Sequence, residues 1–420
     1  MIQLRVCLLF SLAICIQGQG QEEFTHLQYN LTLYGNPFGC DESDNNSNQK
    51  EDALNIIIDY VQPDIFTVNE MRDSDVWADR LLDNVLNDEE EVWSRAELTD
   101  QFGFSSIVNA CYFRNDRFTL YAQEVVYQSL GGSNLLRHID LYTLYMDMPS
   151  LVFGDTAFVT IAVAHLSAGD AIERANQTEA LMAYIEARGI DNYIFAGDLN
   201  IDSSLETAYQ NLINSNDPDF SFIDPVDAAG TWHNNPSFSD YHSQSTRYGD
   251  TNEGCFAGGG LDDRFDITLI SPYISVGVNG VTYVPNSYEV VGQSGNDYNQ
   301  ELQTIGNQVV PANVAQALYD ASDHLPVKTK YTADFSTGLS SVHEQLDFEV
   351  SFMDRQLELW IKKFGIYTMS IHDLSGRLLI HEDFNGRGYK IGLSEIRNQA
   401  VIINVVSAQG LSAHRIQFIP

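Results

Sequence analysis

Apolar positions recur along this chain with two different periods. Residues 27–34 alternate apolar and polar, the period of a half-buried strand. Residues 51–61 carry Ala53, Leu54, Ile57, Ile58 and Val61 at helical spacing, and residues 173–188 predict a second amphipathic helix stopped by Gly189. Residues 312–319 predict a short third helix. Residues 65–68, 159–164, 193–196 and 267–270 are continuous apolar runs, as expected of strands covered on both faces. The polar, acidic run 40–52 predicts a solvated loop. This interleaving predicts an α/β unit. Beyond residue 340 the rhythm changes. Val350, Phe352, Leu357, Leu359, Ile361, Met369, Ile371, Leu378, Ile380, Ile391, Val401, Ile403 and Val405 fall in short segments broken by Gly and Asn, which predicts a small all-β sandwich.

Charge marks the same boundary. The chain has 22 Lys and Arg against 58 Asp and Glu, a net charge of −36. Residues 340–420 hold 8 basic and 9 acidic residues, whereas residues 21–339 hold 13 and 49. The small polar stretch Asp334-Phe335-Ser336-Thr337-Gly338 suits a linker. A hydrophobic content of 44% is enough for a sizeable core, so the acidity does not imply disorder. It does exclude a protein that holds nucleic acid mainly through a basic surface. A polyanionic substrate would require divalent cations to bridge the repulsion.

Residues 1–20 have the layout of a secretory signal peptide: Arg5, an apolar run from Val6 to Ile16, then small residues at Gly18 and Gly20. The run is too short to span a bilayer. The expected protein is secreted or at the cell surface, exported through the periplasm, without a membrane span, and a monomer. Three cysteines lie beyond the leader. Cys111 reads as a buried small hydrophobe. Cys40 and Cys255 lie in Gly-containing loops and are free to pair in an oxidising exterior; the pattern leaves open whether they do.

Candidate chemistry collects where strands end. Glu70 closes the run 63–70, His165 the run 163–165, and Asp198 with Asn200 the run 195–200. Asp266 opens a strand, and Asp323-His324 follows the third helix. One Glu at a strand end is ordinarily a solvated terminus, and one His is ordinarily a core residue. Five such endings with these residue types point to a hard cation such as Mg²⁺, Mn²⁺ or Ca²⁺.

Asn30, Glu70, Gly197-Asp198-Leu199-Asn200, Asp266 and Ser322-Asp323-His324 resemble the ordered motifs of the endonuclease/exonuclease/phosphatase superfamily, across residues 26–331. The runs 261–266 and 165–169 resemble those of secreted bacterial nuclease-type members. The resemblance implies a four-layered α/β sandwich, the deoxyribonuclease I-like fold, for residues 21–339. It implies Asn30, Glu70 and Asp323 as metal residues. It implies Asp198 as the group that activates water, and Asn200 and His165 as donors to the phosphate. It implies His324, held by Asp266, as the acid. Arg114 is the expected phosphate contact. Two departures, Thr32 where abasic-site enzymes often carry Asp and the presence of His165, point away from DNA repair. Residues 369–378 and 412–419 resemble the C-terminal sorting domain of type IX secretion, which implies that residues 340–420 engage that machinery.

The resulting expectation is a secreted Mg²⁺-dependent phosphodiesterase acting on DNA or RNA, an endonuclease. The alternative is a phosphatase or sphingomyelinase-like phospholipase of the same fold. The run Leu261-Asp262-Asp263-Arg264 is nearer the nuclease pattern, and no exposed aromatic hairpin for lipid insertion is evident from sequence.

Overall fold

The computed structural model describes residues 21–419 except 42, 44, 89, 100–104, 147–156, 250–254, 335–347, 354–355, 374–376, 394–395, 397–398 and 408–411. The leader and most of the linker stretch therefore lie outside the described residues. The chain divides into two compact units, Met1–Leu339 and Ser340–Pro420. No helix among the described residues is long and apolar enough to cross a membrane.

The elements of the first unit, in chain order, begin with β1 (Gln21–Tyr34), α1 (Ser47–Val61), β2 (Ile65–Arg72), α2 (Asp75–Leu81), β3 (Trp93–Arg95) and β4 (Ile107–Arg114). Then come β5 (Phe118–Gln128), β6 (Asn134–Met146), β7 (Phe158–His165), α3 (Ala171–Arg188), β8 (Tyr193–Asp198) and α4 (Thr207–Ile213). The unit closes with β9 (Asp266–Ile270), α5 (Pro272–Val276), β10 (Val281–Tyr283), β11 (Glu289–Val290), α6 (Ala312–Ala321) and β12 (Val327–Asp334). A seven-stranded sheet runs β10-β12-β1-β2-β4-β3, with β11 also on β12; a five-stranded sheet runs β5-β6-β7-β8-β9.

Strand alternation sends neighbouring residues to opposite faces. Ile65, Phe113 and Tyr331 of the first sheet meet Tyr142, Ile161 and Ile194 of the second in a shared core. Their neighbours Phe66 and Tyr112 face outward under α1 and α6. Likewise Ala162, Phe195 and Leu269 face outward under α3 and α4. Helix, sheet, sheet, helix is the four-layered α/β sandwich expected of the deoxyribonuclease I-like fold.

Helix α1 begins inside the stretch expected to be a loop. The Asn46 side chain accepts from the amides of Asn48 and Gln49, and Lys50 and Glu51 are buried with partners of their own. A capping side chain outweighed the polar composition.

In the second unit, β13 (Phe348–Met353), β14 (Gln356–Asp373), β15 (Leu378–Gly392), β16 (Gln399–Ser407) and β17 (Ser412–Ile419) form a five-stranded antiparallel sheet. Strand β14 pairs with β13 along its first part, with β16 along its last, and with β15 in both. Leu357, Leu359, Met369, Ile371, Val401, Ile403 and Val405 share its buried face.

Candidate active site

Strand register assembles the site. Asn30 on β1 lies beside Asn69 on β2, so Glu70 follows at the same edge. On the other sheet His165, Asp198 and Asp266 are direct neighbours across β7, β8 and β9. The Gly197 of the Gly-Asp-Leu-Asn motif makes that row possible. Its φ is +151°, and a Cβ there would lie 1.8 Å from the Ala164 carbonyl oxygen. Asn69 ties the sheets together: its Oδ1 accepts from the Asp198 amide at 2.9 Å and from Gln28 Nε2 at 2.7 Å.

The side chains converge. Asn30 Nδ2 donates to Glu70 Oε1 at 3.2 Å and to Asp198 Oδ2 at 2.9 Å. His165 Nε2 lies 3.4 Å from Asp198 Oδ2 and 3.6 Å from Glu70 Oε1. His324 Nδ1 is 2.6 Å from Asp266 Oδ2, and His324 Nε2 is 3.8 Å from Asp198 Oδ2. Ser243 Oγ donates to the same Asp266 oxygen at 2.7 Å. Asn200 Nδ2 donates to the Leu166 carbonyl at 3.2 Å, and the Asn200 amide to Asp198 Oδ1 at 3.1 Å. Glu70 and Asn200 both hold positive φ, 59° and 50°, a conformation rare outside glycine and costly unless the surroundings fix it.

Burial shapes the electrostatics. Burial pushes Asp198 up to about 7, with Asp266 and Glu70 adding to it and His324 opposing. Burial, reinforced by Asp323, also raises Glu70. Burial keeps His165 well below the usual imidazole range, with Arg137 and His324 adding to the effect, so it is neutral. Burial works against a charge on His324 too, but Asp266, Asp198 and Asp323 outweigh it and hold that imidazole well above its usual range. The site thus pairs an imidazole whose cation is favoured with a carboxylate raised toward neutrality.

Three expectations need correction. Arg114 is not at the site. Strands β2 and β4 are antiparallel and Phe113 pairs with Ile65, so Arg114 stands opposite Asp64, at the far end from Glu70, roughly 20 Å along the strand at about 3.3 Å per residue. It is bound to Asp116 at 2.7 Å. Asn30 is not turned as a metal ligand. Its one oxygen accepts from the Thr32 amide at 2.9 Å, where β1 bends through positive φ, and its NH₂ faces the carboxylates. Asp323 does not join the Glu70 group. One oxygen is held by Thr32 Oγ1 and the other by the Ala257 amide.

The set that does converge for a cation is Glu70, His165 and Asp198, whose ligand atoms all lie within 4.8 Å of one another. Burial raises both carboxylates and Glu70 adds to the rise at Asp198, a repulsion that a divalent cation would relieve; the two carboxylates suit Mg²⁺ or Mn²⁺, and the added nitrogen suits Mn²⁺ better than Mg²⁺.

Sequence reasoning missed Arg137. It donates to the Leu166 carbonyl at 2.8 Å and lines a small cleft with Asn109, His138 and His165. Its charge acts on both Glu70 and Asp198. The signal was faint: a basic residue in a strand of a chain with few of them. Also missed was Gln244, whose amide nitrogen is 2.7 Å from His324 Nε2.

No family model matches the chain, and no curated protein matches it. Among solved structures it is similar to an endonuclease/exonuclease/phosphatase family protein from Bacteroides thetaiotaomicron, with 13% identity, a TM-score of 0.47, and coverage of 75% of this chain and 100% of that one. It is similar to the human Nocturnin catalytic domain, with 11% identity, a TM-score of 0.44, and coverage of 74% and 94%. It is also similar to a mannosyl-6-phosphatase from Bacteroides thetaiotaomicron, with 13% identity, a TM-score of 0.44, and coverage of 73% and 99%. The four-layered sandwich itself stands on the two sheets and the helices that cover them.

Proposed function

We propose that this chain is a secreted, divalent-metal-dependent phosphodiesterase that hydrolyses DNA or RNA, acting as an endonuclease. One observation carries the reading. The buried row His165-Asp198-Asp266 faces Glu70 across the sheet-to-sheet edge, with His324 held beside it by Asp266. A cation held by Glu70 would supply charge neutralisation for the phosphate. Asp198 takes a proton from the attacking water. His324 gives one to the departing oxygen while Asp266 fixes its tautomer. Arg137 and Asn200 are placed to donate to phosphate oxygens once a substrate displaces their contacts to Leu166.

The leader and the residues 340–420 support export and a type IX sorting role. A phospholipid substrate is the second reading. It draws support from the β5–β6 hairpin, where Leu130 and Leu136 are exposed. Plasmid DNA, RNA, sphingomyelin and inositol phosphates, each with Mg²⁺, Mn²⁺, Ca²⁺ or EDTA, separate these readings. Nicked plasmid that EDTA protects supports the nuclease. Released inorganic phosphate or ceramide with intact plasmid overturns it.

A further inference from the structure

A second set of residues underlies Asn30, Asp323 and His324. Cys40 and Cys255 are bridged across 215 residues, with Cα atoms 5.6 Å apart. The next residue, Phe256, is buried, and two buried cations lie over its ring. The Arg247 guanidinium carbon is 3.7 Å and Lys50 Nζ 4.9 Å from the ring centroid. A desolvated cation over an aromatic face is a favourable contact.

Each cation is spent on backbone carbonyls that shape the site. Lys50 Nζ donates to the Leu31 and Thr32 carbonyls at 2.7 Å each, just past Asn30, where β1 bends. Arg247 donates to the Ser322 and Tyr319 carbonyls at 2.7 and 2.6 Å, closing the C-terminal end of α6, where positive charge is favoured. That end leads directly into Asp323 and His324. One residue after Phe256, the Ala257 amide donates to Asp323 Oδ2 at 2.7 Å, and the Ala257 carbonyl accepts from Ser245 Oγ at 2.7 Å. Ser322 Oγ in turn donates to the Asn30 carbonyl at 2.6 Å. Residues 255–257 therefore reach both halves of the site within three positions. Cys255 packs against a small satellite cluster of Leu33, Cys40 and Ile107, and the bridge ties the start of this segment to it.

We propose that the Cys40–Cys255 bridge and Phe256 are positioning residues of the site, acting through Ala257, Lys50 and Arg247 on Asn30, Asp323 and His324. What the positioned groups catalyse is taken from the phosphoesterase reading; how they are held does not depend on it. Neither Phe256 nor the cysteines touch substrate.

The test compares the full chain with Cys40→Ala/Cys255→Ala and with Phe256→Leu, which keeps apolar bulk and removes the ring. Turnover is measured below each protein's melting transition, and amide hydrogen exchange is measured at Ala257 and Asp323 without metal or substrate. Both variants should remain folded and lose roughly 10- to 100-fold in kcat, as removal of supporting partners does at metal sites. KM should stay within about threefold, and exchange at the two amides should rise roughly tenfold. Normal kcat and unchanged exchange, with only a lower melting temperature, would overturn the proposal and leave the bridge a staple of the fold. If the wild-type chain hydrolyses no phosphoester, the reading of function fails by itself. Exchange at Ala257 and Asp323 then still decides whether the bridge positions the segment.

Discussion

Replacing His324 by Ala and Asp266 by Asn, singly and together, asks whether the buried pair works as one unit. Asp266 Oδ2 faces His324 Nδ1 at 2.6 Å and takes Ser243 Oγ as well, while Oδ1 is buried with no hydrogen-bond partner. An Asn at 266 can place its NH₂ at the Oδ1 position and keep its oxygen toward His324 and Ser243. Geometry survives and the charge is lost. Burial, which opposes a charge on His324, then faces only Asp198 and Asp323, so its pKa falls. A group that must be protonated to act loses activity as pH rises through its pKa. Asp266→Asn should therefore move the alkaline limb of the pH–rate profile to lower pH. A positioned acid is worth roughly 10²–10⁴-fold, about 3–5 kcal/mol of barrier. His324→Ala should lose that much in kcat, measured in single turnovers on a nicked-plasmid or oligonucleotide assay with saturating Mg²⁺. Asp266→Asn should lose somewhat less, because the two remaining carboxylates still favour the cation. The double variant should be no worse than His324→Ala by more than a few fold. Multiplicative losses, or near-normal turnover in His324→Ala with only a lowered melting temperature, would remove the pair from the mechanism.

Arg137→Met should lower kcat/KM by roughly 10- to 100-fold, the worth of a hydrogen bond to a charged group in a partly buried place, and Arg114→Met should leave it unchanged; equal effects would contradict the placement of Arg114 at the far end of β4. Because Asp198 is pushed up to about 7 and must be ionised to accept a proton, the rate at limiting metal should rise with pH through that region. A cation beside it favours the carboxylate, so added Mn²⁺ should shift that limb to lower pH; a limb in the ordinary carboxylate range that ignores metal would refute the assignment. Purified residues 21–339 should keep the specific activity of the full chain, whereas cells expressing residues 1–339, which keep the leader, should retain the protein within the envelope; lost activity would give the tail a substrate-binding role instead.

Continuous apolar runs were enough to place β2, β7, β8 and β9, because strands covered on both faces leave no polar alternation to confuse the signal. The helix stop at Gly189 was equally plain, since it caps α3 in the structure. Strands β5 and β6 were not legible. Much of β5 is only half-buried, and a strand without a clean face gives no clear period. Helix α1 was found late for a related reason: Lys50 and Glu51 look like solvent residues until Leu31, Thr32, Tyr34 and Arg80 are seen to occupy them.

The site residues that sit on strand ends were legible because register alone gathers them. What they touch was not, since contact depends on rotamers and on loops distant in sequence. The basic residues make the point. Among the described residues of the first unit, Arg80, Arg95, Arg114, Arg117, Arg174, Arg188, Arg264, Lys328 and Lys330 each have a carboxylate within salt-bridge distance. Lys50, Arg72, Arg137 and Arg247 instead donate to backbone carbonyls. All four stand at the end of the sheets where Glu70 and Asp323 stand. A count of charges gives an acidic molecule with no place for a polyanion. Their arrangement gives one end where the cations are not already neutralised by a carboxylate partner. Lys50 and Arg247 are buried there, so an arriving phosphate would reach Arg72 and Arg137, with a divalent cation offsetting Glu70 and Asp198, while the rest of the surface repels it; at about 0.15 M salt that long-range repulsion fades beyond roughly 8 Å.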